Sequence, residues 1–138
     1  MVNNSIPKVI HYCWFGGNTL PVLALRCIES WKKYFPDYEI KEWNETNFDV
    51  NIIPYTAQAY KAKKYAFVSD YARFWILYKY GGLYFDTDVE VVKNMNDIIS
   101  KGSFMGCENW AQPGAMPAQL RKADMFTKRT IKPHQAVA

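Results

Sequence analysis

The chain has 138 residues, 49% of them apolar and 22% charged, with a formal net charge of +4. This is enough for one small domain with a real core, and the composition excludes a disordered or fibrous chain. The excess charge lies wholly beyond Trp110, where Arg121, Lys122, Lys128, Arg129 and Lys132 face Asp124 alone. The balanced body therefore offers no electrostatic footprint for nucleic acid.

The opening residues Met1–Ser5 carry neither a basic nor an apolar stretch, so no signal peptide is expected. No apolar run approaches membrane-spanning length. Cys13, Cys27 and Cys107 are odd in number and form no C-x-x-C, which reads as free core thiols in a reducing compartment. The expected location is the cytoplasm.

In chain order, Val9–Phe15 is a short apolar run closed by Gly16-Gly17, the pattern of a buried parallel strand. Glycines after such a strand let a nucleotide approach the backbone at the carboxyl edge of an open sheet. His11 reads as a packed strand residue, and Trp14, on its own, as a core aromatic. Thr19-Leu20-Pro21 opens a helix whose residues Ala24, Ile28, Trp31 and Phe35 form a buried stripe, with Glu29 and Lys33 pairing on the wet side. Tyr38–Trp43 alternates like a second strand, and strand–helix–strand order favours a parallel α/β sheet.

Asn44-Glu45-Thr46-Asn47 reads as a capping loop. Pro54 breaks the chain before a helix over 57–64, where Lys61, Lys63 and Lys64 form a basic cluster read as a solvated face.

The informative stretch follows. Ser69-Asp70-Tyr71-Ala72-Arg73 reads as helix and places Asp70 and Arg73 on one face. Phe67, Tyr71, Phe74 and Tyr78 share helical spacing and predict the apolar face. Gly81-Gly82 ends the helix. A strand over 83–89 is expected to send Leu83 and Phe85 to one side and Tyr84, Asp86 and Asp88 to the other. Two carboxylates one residue apart, without a neighbouring lysine, suit a hard cation such as Mg²⁺ or Mn²⁺ with substrate phosphates completing its shell. D-x-D alone is a weak signal, and a solvated turn is its bland alternative. The full string S-D-x-x-R-x-x-x-L-Y-x-x-G-G-x-Y-x-D-x-D-V is specific.

At these residues, and at Ile6-Pro7-Lys8-Val9-Ile10-His11-Tyr12-Cys13-Trp14-Phe15-Gly16-Gly17, the chain resembles glycosyltransferases with a DXD-containing sugar-binding region. That group includes yeast-type initiating α-1,6-mannosyltransferases, bacterial capsular and exopolysaccharide enzymes and, more distantly, the large clostridial glucosylating toxins. The resemblance spans roughly Ile6 to Val92. It implies an α/β fold of GT-A type, with a mainly parallel sheet flanked by helices and incomplete on the acceptor side. It implies retaining transfer from a nucleotide-sugar, a UDP-sugar or GDP-mannose, to a saccharide or lipid-linked saccharide acceptor.

By the same resemblance Trp14 stacks on the base and Asn47 lies near the nucleoside. Asp88, with Asp86, holds Mn²⁺ or Mg²⁺ against the diphosphate, and Arg73 adds a cationic contact. Asp70 and Asp86 accept hydrogen bonds from sugar or ribose hydroxyls, and Tyr84 donates to a phosphate oxygen.

Further on, Val89–Val92 and Ser103–Glu108 read as short strands and Asn94–Ile99 as a helical turn. Pro113, Gly114 and Pro117 break the pattern, leaving a short basic helix near Ala118–Lys128. The division expected is a donor-binding domain over 1–110 and a basic tail, irregular or briefly helical, over 111–138. Relatives continue with acceptor-binding elements and a late His and Ser-Trp stretch that His134 does not match, which implies truncation. Three functions stay open: a metal-dependent transferase of surface-polysaccharide assembly, an inactive donor-binding fragment, and a small metal- or carbohydrate-binding module. The basic tail suggests peripheral contact with the inner face of a membrane.

Overall fold

The computed structural model describes residues 6–102 and, as backbone, 105–107, 120–122 and 135–137. In chain order the elements are β1 (Val9–Cys13), α1 (Val22–Tyr34), β2 (Glu39–Trp43), α2 (Pro54–Lys61), α3 (Tyr65–Tyr80), β3 (Leu83–Tyr84), β4 (Val89–Val91), α4 (Asn96–Ile99), β5 (Met105–Cys107), β6 (Leu120–Lys122) and β7 (Gln135–Val137). β1 pairs parallel to β2 on one side and to β3 on the other, with Cys13 opposite Trp43 and Ile10 opposite Leu83. Antiparallel β7 and β5 extend the sheet to the order β2-β1-β3-β7-β5, while β4 and β6 form a separate antiparallel ribbon. This is the expected α/β architecture of GT-A type, a parallel core flanked by helices.

The strands' period-two alternation builds two cores. Ile10, Tyr12, Leu83 and Phe85 meet Cys27, Ile28, Trp31 and Phe35 of the α1 side. Cys13, Trp43 and Tyr84 meet Val68, Ala72 and Ile76 of α3. Trp31 is fully buried and its indole N–H donates to the Val89 carbonyl at 2.8 Å, while the Ser30 hydroxyl accepts from Val91 N–H at 3.0 Å. Two neighbouring residues of α1 thereby hold β4.

α3 differs from expectation in its orientation. Phe67, Phe74 and Tyr78 are exposed, Tyr78 to 88%, and the buried stripe is Val68, Ala72 and Ile76. Small and branched side chains occupy the fully buried centre of the helix's contact with the sheet, while the rings of Tyr65, Tyr71 and Trp75 pack partly buried against it.

Four smaller corrections follow. Glu29 pairs with Lys32 at 3.3 Å rather than with Lys33, whose ammonium lies over the Tyr34 ring. Pro54 begins α2 instead of breaking the chain before it, its fixed φ suiting the first helical turn. The described part of the helix expected near 118–128 is a strand, β6, paired with β4, and β7 likewise replaces an irregular tail with a sheet strand. The expected continuous strand over 83–89 is interrupted. β3 stops at Tyr84, and a turn closed by Val89 N–H to the Asp86 carbonyl at 3.0 Å precedes β4.

The corner between α3 and β3 needs its glycines. Gly81 caps α3 at φ +67, and Gly82 follows at φ +97. A Cβ on Gly82 would lie 2.7 Å from the Val9 carbonyl oxygen and 2.6 Å from Val9 Cγ1, so only glycine lets the chain pass this close to β1.

Candidate functional site

A cavity of about 290 Å³ opens at the carboxyl ends of β1 and β3. Open parallel sheets commonly bind ligands there. Its wall includes Trp14, Asp70, Tyr84, Asp86 and Asp88, so five of the seven site residues named from the sequence come together.

Each is placed by its element. Tyr84 is the last residue of β3 and is buried beside the Cys13 thiol. Asp86 and Asp88 occupy the first and third positions of the turn after β3, where Asp is a preferred turn former. The two carboxylates therefore share one wall because a turn, not a strand face, presents them. Trp14 follows β1, and its indole N–H donates to the Asn18 carbonyl at 2.7 Å, which fixes the ring at the rim.

The loop after Trp14 is braced from below. Glu45 accepts from Gly16 N–H at 2.7 Å and from the Tyr60 hydroxyl at 2.9 Å. Burial works against its charge, but the hydrogen bonds from Gly16, from its own backbone N–H and from Tyr60 hold the carboxyl below its ordinary range. The Tyr65 ring fills the space beneath Gly16, where a Cβ would fall 2.5 Å from the ring.

Arg73 and Asn47 do not form part of this wall. Arg73 is 7% exposed and lies behind it. Its Nη2 donates to Asp70, its Nη1 lies 3.9 Å from Asp86 Oδ1, and its Cζ is 5.6 Å from both the Phe74 and Tyr84 ring centroids. It anchors two carboxylates from the rear. The Asn47 amide is spent within its own loop, accepting from Asn44 N–H at 2.8 Å and donating to the Glu42 carbonyl at 3.0 Å.

Sequence reasoning did not nominate Asn18, Tyr65, Ala66, Ser69 and Thr87, which complete much of the wall. Ala66 lies four residues before Asp70 and Ser69 four after Tyr65, so helical spacing would have found Ala66 from Asp70, and Ser69 only through Tyr65 or Ala66. Cys13 also faces the cavity, but burial pushes its thiol up to about 12, so it stays protonated and unreactive at neutral pH.

The electrostatics are one-sided. Among the described residues the wall carries three carboxylates and no lysine or arginine. No three His, Cys, Asp or Glu side chains among the described residues gather closely enough to hold a metal ion alone. Asp86 and Asp88 nevertheless provide an oxygen-only pair of the kind that holds Mg²⁺ or Mn²⁺ jointly with substrate phosphates.

The match to known proteins follows the same residues. The family model described as the glycosyltransferase sugar-binding region containing the DXD motif matches residues 21–105. Inositol phosphoceramide mannosyltransferase 3 of Schizosaccharomyces pombe is 31% identical over 103 residues, covering 69% of this chain and 28% of that protein. Inositol phosphoceramide mannosyltransferase 1 of the same yeast is 29% identical over 112 residues, covering 73% and 34% respectively. An uncharacterized glycosyltransferase, L373, of Acanthamoeba polyphaga mimivirus is 33% identical over 109 residues, covering 72% and 42%. The chain thus spans less than half the length of these curated relatives. The D-x-D turn, its helix and the glycine corner between them all fall inside the matched region, and on that match the chain belongs to the glycosyltransferase family with a DXD-containing sugar-binding region.

Proposed function

We propose that the chain binds a nucleotide-sugar through a divalent cation and transfers the sugar, with retention, to a saccharide or lipid-linked saccharide acceptor. The observation that carries this reading is the charge of the cavity wall. Asp70, Asp86 and Asp88 face it without a lysine or arginine among the described residues, so a diphosphate would be repelled unless a cation came with it. Arg73 offsets part of that charge from behind, at Asp70 and Asp86.

Asp88 and Asp86 are the residues that would hold the ion. When bound, Mg²⁺ or Mn²⁺ supplies Lewis-acid stabilisation of the charge that develops on the departing diphosphate. Trp14 offers the nucleoside base a fixed aromatic face at the far side of the cavity wall. Asp70 accepts from sugar or ribose hydroxyls, and Arg73 keeps Asp70 and Asp86 oriented for that work. The bond between the anomeric carbon and the β-phosphate oxygen breaks. The acceptor oxygen then bonds the same carbon on the same face, and its proton leaves with the nucleoside diphosphate.

The two yeast relatives are named mannosyltransferases, which favours mannose as the sugar transferred, with GDP-mannose the donor we propose for it. A UDP-sugar, and a role in surface-polysaccharide assembly, are the parallel reading for bacterial-type members. A cytoplasmic site of action, with the basic 111–138 segment against an anionic membrane, belongs to the same proposal and is supported by that segment's charge.

A second reading is donor binding without transfer. Calorimetric titration with GDP and UDP, with and without Mn²⁺, tests the binding they share. Release of GDP or UDP from the sugar nucleotide in the presence of acceptor separates the two.

A further inference from the structure

His11 stands in the middle of β1, 2% exposed, and the reading of the site leaves it without a task. Both of its ring nitrogens are engaged. Nε2 lies 2.9 Å from the Gly81 carbonyl oxygen, which can only accept, so Nε2 carries the proton. Nδ1 is then bare and accepts from the Trp43 indole N–H, which can only donate, at 3.0 Å. The two partners select the same neutral tautomer. The ring also packs against Trp43 and Tyr80, and the His11 carbonyl accepts from Phe85 N–H at 3.1 Å. One residue of β1 thus touches β2, the end of α3 and the chain just past β3.

Gly81 is where α3 stops, and a carbonyl at a helix end needs a partner outside the helix. The chain turns there toward Asp86 and Asp88, while Asp70 and Arg73 lie on the helix it has just left. The distance between the two charged pairs is therefore set by the angle of this corner. A phenylalanine or leucine in the same space would fill it. Neither could join an acceptor on one side to a donor on the other.

We propose that His11 is a positioning residue for the donor site, clamping the Gly81 corner through the tautomer that Trp43 selects and so fixing the Asp86–Asp88 turn relative to Asp70 and Arg73. The ligand it serves rests on the function proposed above; the clamp itself does not. It resembles the outer-shell hydrogen bonds that orient carboxylates and imidazoles around metal sites, whose loss weakens metal affinity by about tenfold or more.

The experiment uses the full chain and two readouts: hydrogen exchange of the amides over 83–89 without ligand, and Mn²⁺-dependent affinity for GDP or UDP. His11→Phe keeps a buried ring and removes both bonds. It should fold cooperatively, exchange faster over 83–89 and lose about tenfold in affinity. His11→Gln keeps a donor at the place of Nε2 and should recover most of both, whereas His11→Asn, which mimics only Nδ1, should not. Ile28→Val, a mild core change on the opposite face of the sheet, should leave both readouts alone. Should His11→Phe fail to fold, Trp43→Phe takes its place, with faster exchange over 83–89 the supporting result and unchanged exchange the overturning one. Unchanged exchange and affinity in folded His11→Phe, or no advantage of Gln over Asn, would also overturn the proposal. If the unaltered chain binds neither nucleotide, the functional reading fails, and the exchange data still decide the clamp.

Discussion

Arg73 Nη1 lies 3.9 Å from Asp86 Oδ1, while Nη2 of the same guanidinium donates to Asp70. One buried cation therefore ties a carboxylate on a helix to a carboxylate in the turn beyond the glycine corner. Asp70 is half exposed and can recover solvent, but Asp86 is 17% exposed and cannot do so as easily. Arg73→Met should destabilise the fold by about 2–3 kcal/mol. Chemical denaturation checks this. A loss below the error of the measurement would reduce the ion pair to decoration.

Asp88→Ala should leave the fold intact, because the residue is half-buried in a turn and belongs to neither core cluster. The Mn²⁺-dependent part of GDP or UDP affinity should fall at least about tenfold, equivalent to ~1.4 kcal/mol. Calorimetry with and without the metal reads this directly. Equal affinities for variant and parent chain would remove the cation from the site.

Trp14→Ala should weaken nucleotide binding by about tenfold, the worth of one base stacked on an aromatic ring. This loss should persist without metal, in contrast to that of Asp88→Ala. Comparing the two variants in metal-free titrations separates the base end of the cavity from the diphosphate end.

Gly82→Ala places a methyl 2.7 Å from the Val9 carbonyl oxygen at a φ of +97. It should cost about 3 kcal/mol and lower the melting midpoint by about 10 °C. A thermal melt that matches the parent chain would mean that the corner yields easily.

His11 has its pKa lowered from 6.5, chiefly by burial, with the Gly81 hydrogen bond opposing and Lys41 and Glu39 pulling in opposite directions. The unfolded chain then binds the proton more readily than the folded one as pH falls below 6.5. Stability from this residue is therefore complete above 6.5 and declines on acidification until the folded imidazole itself titrates. Denaturation midpoints across that window should slope downward toward acid in the parent chain and flatten in His11→Gln.

Much of the site is readable from residue order because it is local. Asp70, Arg73, the two glycines, Tyr84 and the D-x-D all lie within one helix–corner–turn unit, and Trp14 follows a strand that pairs beside it. What residue order leaves undetermined is phase. α3 carries two interleaved stripes, Phe67-Tyr71-Phe74-Tyr78 and Val68-Ala72-Ile76, and both satisfy a helical period. Hydrophobic weight favours the rings, yet the smaller set occupies the fully buried centre of the contact with the sheet. The D-x-D turn is ambiguous for a similar reason: alternating acids fit a strand face and the two ends of a turn equally well. Asn47 stayed with its loop because its short amide satisfies nearby backbone groups first.

β7 lies between β3 and β5, and Val137 stands opposite Tyr84 in the sheet. The strand that leads into the carboxylate turn thus completes its pairing with a segment some fifty residues downstream. Until that partner arrives, one edge of β3 is bare, and such edges invite pairing with other chains. Contacts so distant along the polymer also form late, since a long loop must close before they contribute. The β1–β3 pairing, Ile10 with Leu83, closes a still longer loop, so both edges of β3 depend on distant segments, and the strand leading into the carboxylate turn is where pairing completes late and where misassembly would begin.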